Sequence, residues 1–359
     1  MVTLAEILRR HWPAYLAKFG KDIPSSQRAA VQAMLRCRTP DLGGQLYRCA
    51  CGQTRYVYHS CGHRACPQCG QGDAADWVAR QKVKLLPVPY FLVTFTVPQQ
   101  LRRLIRSNQK IGLAALFRES AGALQDVARM PKHLGAQLGF LGMLHTWTRQ
   151  LEYHPHLHYL VPGGGLSADQ LRWRQVKDAQ FLLPQRVLAA RWRQRLRQTL
   201  ERKHPQLFRT IPREVWRVAW VVDVQPVGRG ETALNYLGAY LYKTALSTRR
   251  LVACDEYTVT FTYRDRATGQ TKRCRLSGQE FLRRFLQHVL PKGLQRVRTY
   301  GWWSAAATRR RERIHALLDW KPPVVERPTN TPQPILCPCC QQPMIFVGLL
   351  PRPPPARPS

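Results

Sequence analysis

The chain has 359 residues, and its 56 Lys and Arg against 21 Asp and Glu give a formal net charge of +35. A charge this large exceeds what solubility requires and indicates a nucleic-acid partner, with ten Trp and thirteen Tyr as possible stacking surfaces for unpaired bases. No run of about 18 apolar residues occurs, and the N-terminus lacks the apolar segment of a signal peptide, so we expect a cytoplasmic protein without a membrane partner.

The first thirty-five residues have helical spacing of apolar side chains, and a cysteine-rich stretch follows. Eleven cysteines in a non-secreted chain favour metal ligands over disulfides. Six of them lie between Cys37 and Cys69, and three more between Cys337 and Cys340. This distribution predicts a helical and Cys-rich zinc-binding domain over 1–85, a central domain over 86–320, and a Pro-rich tail over 321–359.

Cys-Pro-x-Cys is a tight turn that directs two thiolates at one ion, and it is typical of tetrahedral, structural zinc. Several nearby residues are candidate ligands in addition to Cys66 and Cys69: they are Cys37, Cys49, Cys51, His59, Cys61 and His63. We expect Zn²⁺ to be bound by Cys49, Cys51, Cys66 and Cys69, with Cys61 as the main alternative.

Strands interrupted by helices, without strict alternation, predict an α+β fold for the central domain. The predicted strands are 88–98, 139–147, 150–161, 216–225 and 257–264, and the predicted helices are 99–130, 187–203, 232–247 and 279–289.

His156-Leu157-His158 lies within a predicted strand. Side chains alternate across a strand, so both imidazoles project from one face, about 6–7 Å apart, where they can share a divalent metal ion. Gln150, Glu152 and His154 have the same parity. Glu152 is the chemically preferred third ligand, although Pro155 could introduce a bulge that upsets this parity.

Tyr236 and Tyr240 lie at positions i and i+4 of a predicted helix, and Lys243 continues that face. A phenol with a pKa near 10 needs a metal-polarised electrophile or a nearby cation in order to act as a nucleophile. The histidine-bound metal and Lys243 would supply both. Attack on a phosphodiester would then give a tyrosyl-phosphate bond. The alternative is that Tyr236 is a core position of the helix and Tyr240 an interface residue.

The tail carries Cys337-Pro338-Cys339-Cys340 without an obvious second pair. It is interpreted either as half of a zinc ribbon completed elsewhere in the chain or as a truncated remnant. The residues from Pro351 to Ser359 are Pro-rich, which favours disorder.

Several of these segments, in order, resemble one family of transposases. They are His145-Thr146-Trp147, His154-Pro-His-Leu-His158, Val161-Pro-Gly-Gly-Gly165, Tyr236-Leu-Gly-Ala-Tyr240, 259–265, 281–293 and 296–301, together with Cys51-Gly52, Ser60-Cys61 and Cys66-Pro-Gln-Cys69. The family is the HUH (His-hydrophobe-His) rolling-circle transposases of the insertion sequence ninety-one group. The chain departs from it at Ala239, at Tyr242-Lys243, at Ala65 and in its Cys-x-Cys spacing.

The resemblance implies an antiparallel HUH sheet with flanking helices, preceded by a zinc-binding domain. It also implies a bacterial, nucleoid-associated enzyme that cleaves and rejoins single-stranded DNA, both at its element's ends and at the target. Mg²⁺ or Mn²⁺ would polarise the phosphate and a tyrosine would form a 5′-phosphotyrosine, so no nucleotide cofactor is needed.

Three other functions fit parts of the pattern. A replication initiator or relaxase shares the histidine pair and the tyrosine. A histidine-triad nucleotide hydrolase would use His154, His156 and His158, but such enzymes are small and need no tyrosine pair. A non-catalytic zinc-dependent DNA-binding protein would form no covalent adduct.

Overall fold

The computed structural model describes residues 2–69, 74–241, 244–324 and 334–354, without the side chains of residues 74, 75 and 239–241. The helices are α1 Leu4–Phe19, α2 Ser25–Leu35, α3 Ala74–Lys82, α4 Gln99–Ser107, α5 Gln109–Arg129, α6 Gln185–Lys203, α7 Pro205–Arg209, α8 Glu231–Leu241, α9 Gly278–Leu286 and α10 Thr308–Leu317. The strands are β1 Gly44–Arg48, β2 Thr54–Tyr58, β3 Tyr90–Thr96, β4 Phe140–Trp147, β5 Tyr153–Pro162, β6 Gly164–Leu166, β7 Trp173–Gln175, β8 Val221–Pro226, β9 Leu251–Cys254, β10 Thr258–Arg264, β11 Thr271–Ser277, β12 Val297–Tyr300 and β13 Ile345–Leu350.

The centre of the molecule is a five-stranded sheet with the order β12-β4-β5-β3-β8. Every neighbouring pair in it is antiparallel. The α+β class expected from the sequence is therefore confirmed. Helices without strict βα alternation flank the sheet, as antiparallel strands permit.

Both faces of this sheet are covered, because the strands carry apolar residues at odd and even positions. One face packs Phe91, Val93 and Phe95 of β3 against α5 and α6, where Trp192 is fully buried. The opposite face packs Leu141 and Met143 of β4 and Leu160 of β5 against α3, α8 and α10. We call this second face the histidine face, because the even positions of β5 point to it.

A second apolar core joins the N-terminal helices to the part of the chain around β9, β10 and α9. The sheet β11-β10-β9 and helix α9 pack against α1 and α2, so Ile7 and Val31 share a core with Phe261 and Phe281. Leu151, in the turn between β4 and β5, is buried in the same core. The N-terminal helices are thereby coupled to the hairpin that carries the histidines.

Several of the expected elements have different bounds in the structure. The expected helix 99–130 is two helices separated at Asn108, whose backbone (φ −125°, ψ 50°) is not helical. The strand expected from Trp216 starts only at Val221, because Arg213–Trp216 forms a 3₁₀ turn. The helix expected to reach Ser247 is not helical from Thr244 onward in the described residues.

The tryptophans are buried or half-buried in the structure. All ten lie in described ranges, and none is more than partly exposed; Trp192, Trp302 and Trp303 are fully buried. No described helix is both long and apolar enough to cross a membrane.

Candidate metal centre and nucleophile

Three histidines converge on the histidine face of the central sheet. His156 and His158 project from β5, and the antiparallel register pairs His145 of β4 with His156. One ligand nitrogen of each ring lies within 4.8 Å of the others. The ring centroids are 4.7 Å apart for His145 and His158, and 4.8 Å for His156 and His158. Three imidazoles in this arrangement fit a single cation.

The Nδ1 atoms of the two β5 histidines already have hydrogen-bond partners. His156 Nδ1 donates to the carbonyl oxygen of His154 at 2.7 Å. His158 Nδ1 lies 2.9 Å from the hydroxyl oxygen of Thr94 on the neighbouring strand β3. Such bonds fix the ring orientation and tautomer of metal-binding histidines, and they leave Nε2 as the nitrogen available to a cation.

Burial favours the neutral form that metal binding requires at the two cluster histidines of β5, His156 and His158. Burial lowers the pKa of His158 to about 3, with a smaller contribution from the neighbouring His156. Burial also lowers the pKa of His156, and the positive charge of Arg102 acts in the same direction. Near neutral pH no proton therefore competes with a cation for these nitrogens.

Glu152, the expected third ligand, is not part of this cluster. It is exposed and precedes β5, in a turn where Leu151 adopts a positive φ of 62° and the Glu152 amide donates to the Thr148 hydroxyl. Strand parity does not extend through such a turn. Gln150 lies in the same turn, and His154, although on the correct face of β5, is also outside the cluster. The histidine cluster of the structure is thus made of His145, His156 and His158, and Glu152 lies outside it.

Contacts from α9 and the segment after it hold this turn in place. The Leu151 carbonyl oxygen accepts hydrogen bonds from Gln287 Nε2 at 2.8 Å and from His288 Nε2 at 3.1 Å. Thr146 on β4 contacts the other ring nitrogen of His288 at 3.2 Å. The positions of β4 and β5 relative to each other thus depend on residues that are more than 130 positions away in the sequence.

The expected nucleophile lies on a helix that packs on the same face of the sheet. Leu234 and Leu237 of α8 are fully buried against Leu141, Met143 and Leu160. Gly238 allows the close approach of α3, because a Cβ there would collide with Val78. Tyr236 is 43% exposed, so it is not a core position. The side chain of Tyr240 and the whole of Lys243 lie outside the described residues.

The cysteines form two clusters rather than one. In the first, Cys37, Cys61, Cys66 and Cys69 bring their sulfurs within 4.8 Å of one another. In the second, Cys49 and Cys51 meet Cys337 and Cys340 of the tail. The structure thus separates Cys49 and Cys51 from Cys66 and Cys69, contrary to our expectation, and the alternative Cys61 lies with the latter pair. Cys37 was only a nearby candidate in the sequence.

A basic cavity of about 340 Å³ adjoins the β5 hairpin. Its lining includes Arg102 and Arg106 of α4, Arg283 and Arg284 of α9, and Glu152. A larger cavity of about 870 Å³ shares Arg106 and Arg283 and extends to aromatic residues of α1. The positive charge of Arg102 contributes to the low pKa of His154, after burial, so this basic surface begins beside the histidines.

Comparison with known proteins agrees with these features. Residues 139–312 match a family model described as "Putative transposase", and residues 7–97 match the "Transposase zinc-binding domain". "Putative transposase y4qJ" of Sinorhizobium fredii (strain NBRC 101917 / NGR234) is 36% identical over 83% of this chain and 79% of its own length. The "Transposase for insertion sequence element IS801" of Pseudomonas savastanoi pv. phaseolicola is 31% identical over 76% of this chain and 69% of its own.

No solved structure matches the chain significantly. The two family models lie in the expected order, and the matches to both relatives extend over most of each protein. The chain therefore belongs to the IS91 family (insertion sequence ninety-one) of transposases, which carry a zinc-binding domain at their N-terminal end.

Proposed function

We propose that this transposase cleaves and rejoins single-stranded DNA through a covalent tyrosine intermediate, in a rolling-circle type of transposition. The observation that carries the proposal is one surface: three histidines converge on the sheet face on which α8 packs, and Tyr236 is exposed on α8. A metal ion and a phenol that act on the same phosphate would together be suited to attack on phosphorus.

The three imidazole ligands favour some cations over others. Imidazole nitrogens suit transition metals, whereas Mg²⁺ prefers oxygen ligands. We infer that Mn²⁺ fits His145, His156 and His158 better than Mg²⁺ does. A cation bound there would withdraw charge from a non-bridging oxygen of the scissile phosphate.

The chain's own residues account for the remaining steps. The Tyr236 hydroxyl loses its proton and forms the new P–O bond, while the bond to the 3′ oxygen breaks and that oxygen takes up a proton. The products are a 5′-phosphotyrosine and a free 3′ hydroxyl. The reverse reaction with another 3′ hydroxyl rejoins the strand, so no nucleotide cofactor is consumed. We assign the second cleavage or joining step to Tyr240 and stabilisation of phenolate to Lys243.

The distribution of charge supports a nucleic-acid strand next to this site. Arg102 and Arg106 line the cavity beside the β5 hairpin, and guanidinium groups match the geometry of phosphate oxygens. Arg283 and Arg284, which also line it, pair with Glu280. The adjoining larger cavity adds Phe19, which is half-buried and is a candidate for base stacking. A single strand that follows these cavities would reach the histidine face.

The first cysteine cluster fits a structural zinc ion. The sulfurs of Cys37 and Cys69 are 3.4 Å apart, and those of Cys61 and Cys69 are 3.5 Å apart. Zinc–sulfur bonds of about 2.3 Å in a tetrahedron place sulfurs about 3.8 Å apart, whereas a disulfide would place them at about 2 Å. We therefore assign Zn²⁺ of the N-terminal domain to Cys37, Cys61, Cys66 and Cys69.

A covalent-adduct assay tests the nucleophile. The full chain is incubated with Mn²⁺ and single-stranded DNA of the element's own ends, and adducts that survive SDS are counted. Tyr236→Phe removes one hydroxyl from an exposed side chain, so folding and DNA affinity are expected to persist. We expect the Tyr236→Phe, Tyr240→Phe double variant to form no adduct.

Tyr257 supplies the matched control, because it is 72% exposed in the turn before β10. Tyr257→Phe is expected to retain the wild-type amount of adduct. An undiminished adduct in the double variant would contradict the assignment of the tyrosines. DNA binding without any adduct in the wild-type protein would instead favour a non-catalytic DNA-binding role.

A further inference from the structure

We propose that a second zinc ion, bound by Cys49, Cys51, Cys337 and Cys340, fastens the tail to the N-terminal hairpin. We call this site the terminal clasp. It uses two cysteines beyond residue 330, which lie outside the matched zinc-binding domain of residues 7–97. It is independent of the tyrosine chemistry proposed above.

The sulfur geometry of the terminal clasp is that of a tetrathiolate site. The sulfurs are 3.4 Å apart for Cys49 and Cys340, 3.6 Å for Cys51 and Cys337, and 3.7 Å for Cys51 and Cys340. These separations are close to the roughly 3.8 Å expected around tetrahedral zinc, and all four residues are free thiols. They match the spacings in the first cluster.

The backbone presents these thiols from two tight turns. In the hairpin between β1 and β2, the Cys49 amide donates to the Gln53 carbonyl and the Gly52 amide to the Cys49 carbonyl, with Gly52 at a φ of 87°. In the tail, the Cys337 amide donates to the Gln342 carbonyl, and the Gln341 amide donates back to the Cys337 carbonyl. Each turn therefore projects two cysteines toward the other turn.

The strands around the clasp have too small a core to hold together by apolar packing. β13 pairs with β1 to complete the three-stranded sheet β13-β1-β2. The buried cluster there consists of Cys49, Cys337 and Met344. Four of the six β13 residues are largely exposed, among them Ile345 and Leu349 at 71% and 72%. Small units with so little buried area are usually stabilised by a metal or a disulfide.

Other contacts locate the tail but do not replace a metal. Arg55 of β2 donates to the Leu336 carbonyl at 3.0 Å, and the Tyr47 ring meets the Phe346 ring edge-on at 5.7 Å. Both contacts are partly exposed, and such contacts contribute little in water. The metal would therefore be the main tie between two segments that are almost three hundred residues apart in the sequence.

Zinc content measured by mass spectrometry of the full chain tests the proposal. Because the three-histidine site also suits zinc, the count is made in a His156→Ala, His158→Ala background. We expect two zinc ions per chain there. Adding Cys337→Ser and Cys340→Ser should reduce the count to one. Adding Cys339→Ser, which alters the neighbouring cysteine outside the cluster, should leave it at two.

A count of two that survives Cys337→Ser with Cys340→Ser would overturn the proposal, as would an equal loss caused by Cys339→Ser. A second measurement avoids variants of the clasp. Hydrogen exchange of the wild-type chain should show residues 345–350 and 44–48 becoming unprotected when a chelator removes zinc, while the central strand β3 stays protected. Unchanged protection in both segments after complete zinc removal would also refute it.

Discussion

The three histidines on the central sheet and the two cysteine clusters are all candidate metal-ligand sets, but the chain brings their members together in different ways. Two of the three histidines are separated by one residue on a single strand. The second cysteine cluster joins residues near position 50 to residues near position 340. The local geometry of one strand is enough to place the two histidines side by side. The second cysteine cluster forms only when the folded chain brings its two ends together. A sequence pattern over a few residues can therefore place two neighbouring candidate ligands together. It does not show which distant residues complete the set.

The largest expected effect tests the histidine face itself. His145→Asn should reduce DNA cleavage in Mn²⁺ about 10³-fold, because the cation supplies several kcal/mol of charge stabilisation in the transition state. Glu152→Gln is the matched comparison, and it should stay within about threefold of the wild type. The measurement is the initial rate of adduct formation with saturating DNA. If Glu152→Gln lowered the rate more than His145→Asn did, Glu152 would be favoured as the third ligand.

The next effect concerns the first cysteine cluster. Cys66 is buried in the core that α1 and α2 share with α9, so loss of its metal bond should loosen that whole core. Cys66→Ser is expected to lower the free energy of unfolding by at least about 3 kcal/mol, since structural zinc contributes folding energy directly. Thermal unfolding followed by circular dichroism checks this. Cys339→Ser, at an exposed tail position, should unfold like the wild type.

A smaller effect is expected from the group that orients His158. Thr94→Val removes the hydroxyl 2.9 Å from His158 Nδ1. Loss of such a contact typically weakens metal affinity about 10–100-fold, while the protein stays folded. Calorimetric titration with Mn²⁺ measures it. Thr96→Val on the same strand is the control, because its registered partner His156 bonds to the His154 carbonyl instead. Equal affinities for both variants would argue against this role of Thr94.

The smallest effect concerns the basic cavity. Arg102→Gln with Arg106→Gln should weaken single-stranded DNA binding. The slope of log affinity against log salt concentration should become shallower by roughly 0.7 for each lost phosphate contact. Fluorescence anisotropy over a range of salt concentrations measures the slope. Arg273→Gln, on the exposed strand β11, is the control and should leave the slope unchanged. If the Arg102, Arg106 variant kept the wild-type salt dependence, the single-stranded DNA would have to bind elsewhere on the surface.

Much of the central sheet could be predicted from the sequence. The strand over 88–98 and the basic helix over 187–203 appear as β3 and α6, because their apolar patterns satisfy one kind of periodicity over many residues. The short strands β1, β2, β12 and β13 were not predicted. Four to six residues carry too little pattern to distinguish a strand from a loop, and partners elsewhere in the chain stabilise these strands.

His145 was not among the ligands expected from the sequence, although the structure places it in the histidine cluster. It is named in the motif that carries the family resemblance, but its pairing with His156 depends on an irregular register near Trp147 and on a left-handed turn at Leu151. The sequence-based prediction assumed that side chains alternate between the two faces of one continuous strand. It therefore ignored that turn and selected Glu152. Only the folded hairpin, held by Gln287 and His288, decides which side chain faces the metal position.

The sequence by itself determined the features that depend on neighbouring residues: the common face of His156 and His158, the paired thiols of Cys66 and Cys69, the helix that carries Tyr236, and the basic charge. The tertiary structure decided which distant groups complete each set. It brought His145 to the histidines, Cys37 and Cys61 to Cys66 and Cys69, and the tail cysteines to the β1–β2 hairpin. Strand alternation and helix periodicity are local properties of the backbone, whereas ligand convergence depends on the packing of the whole chain.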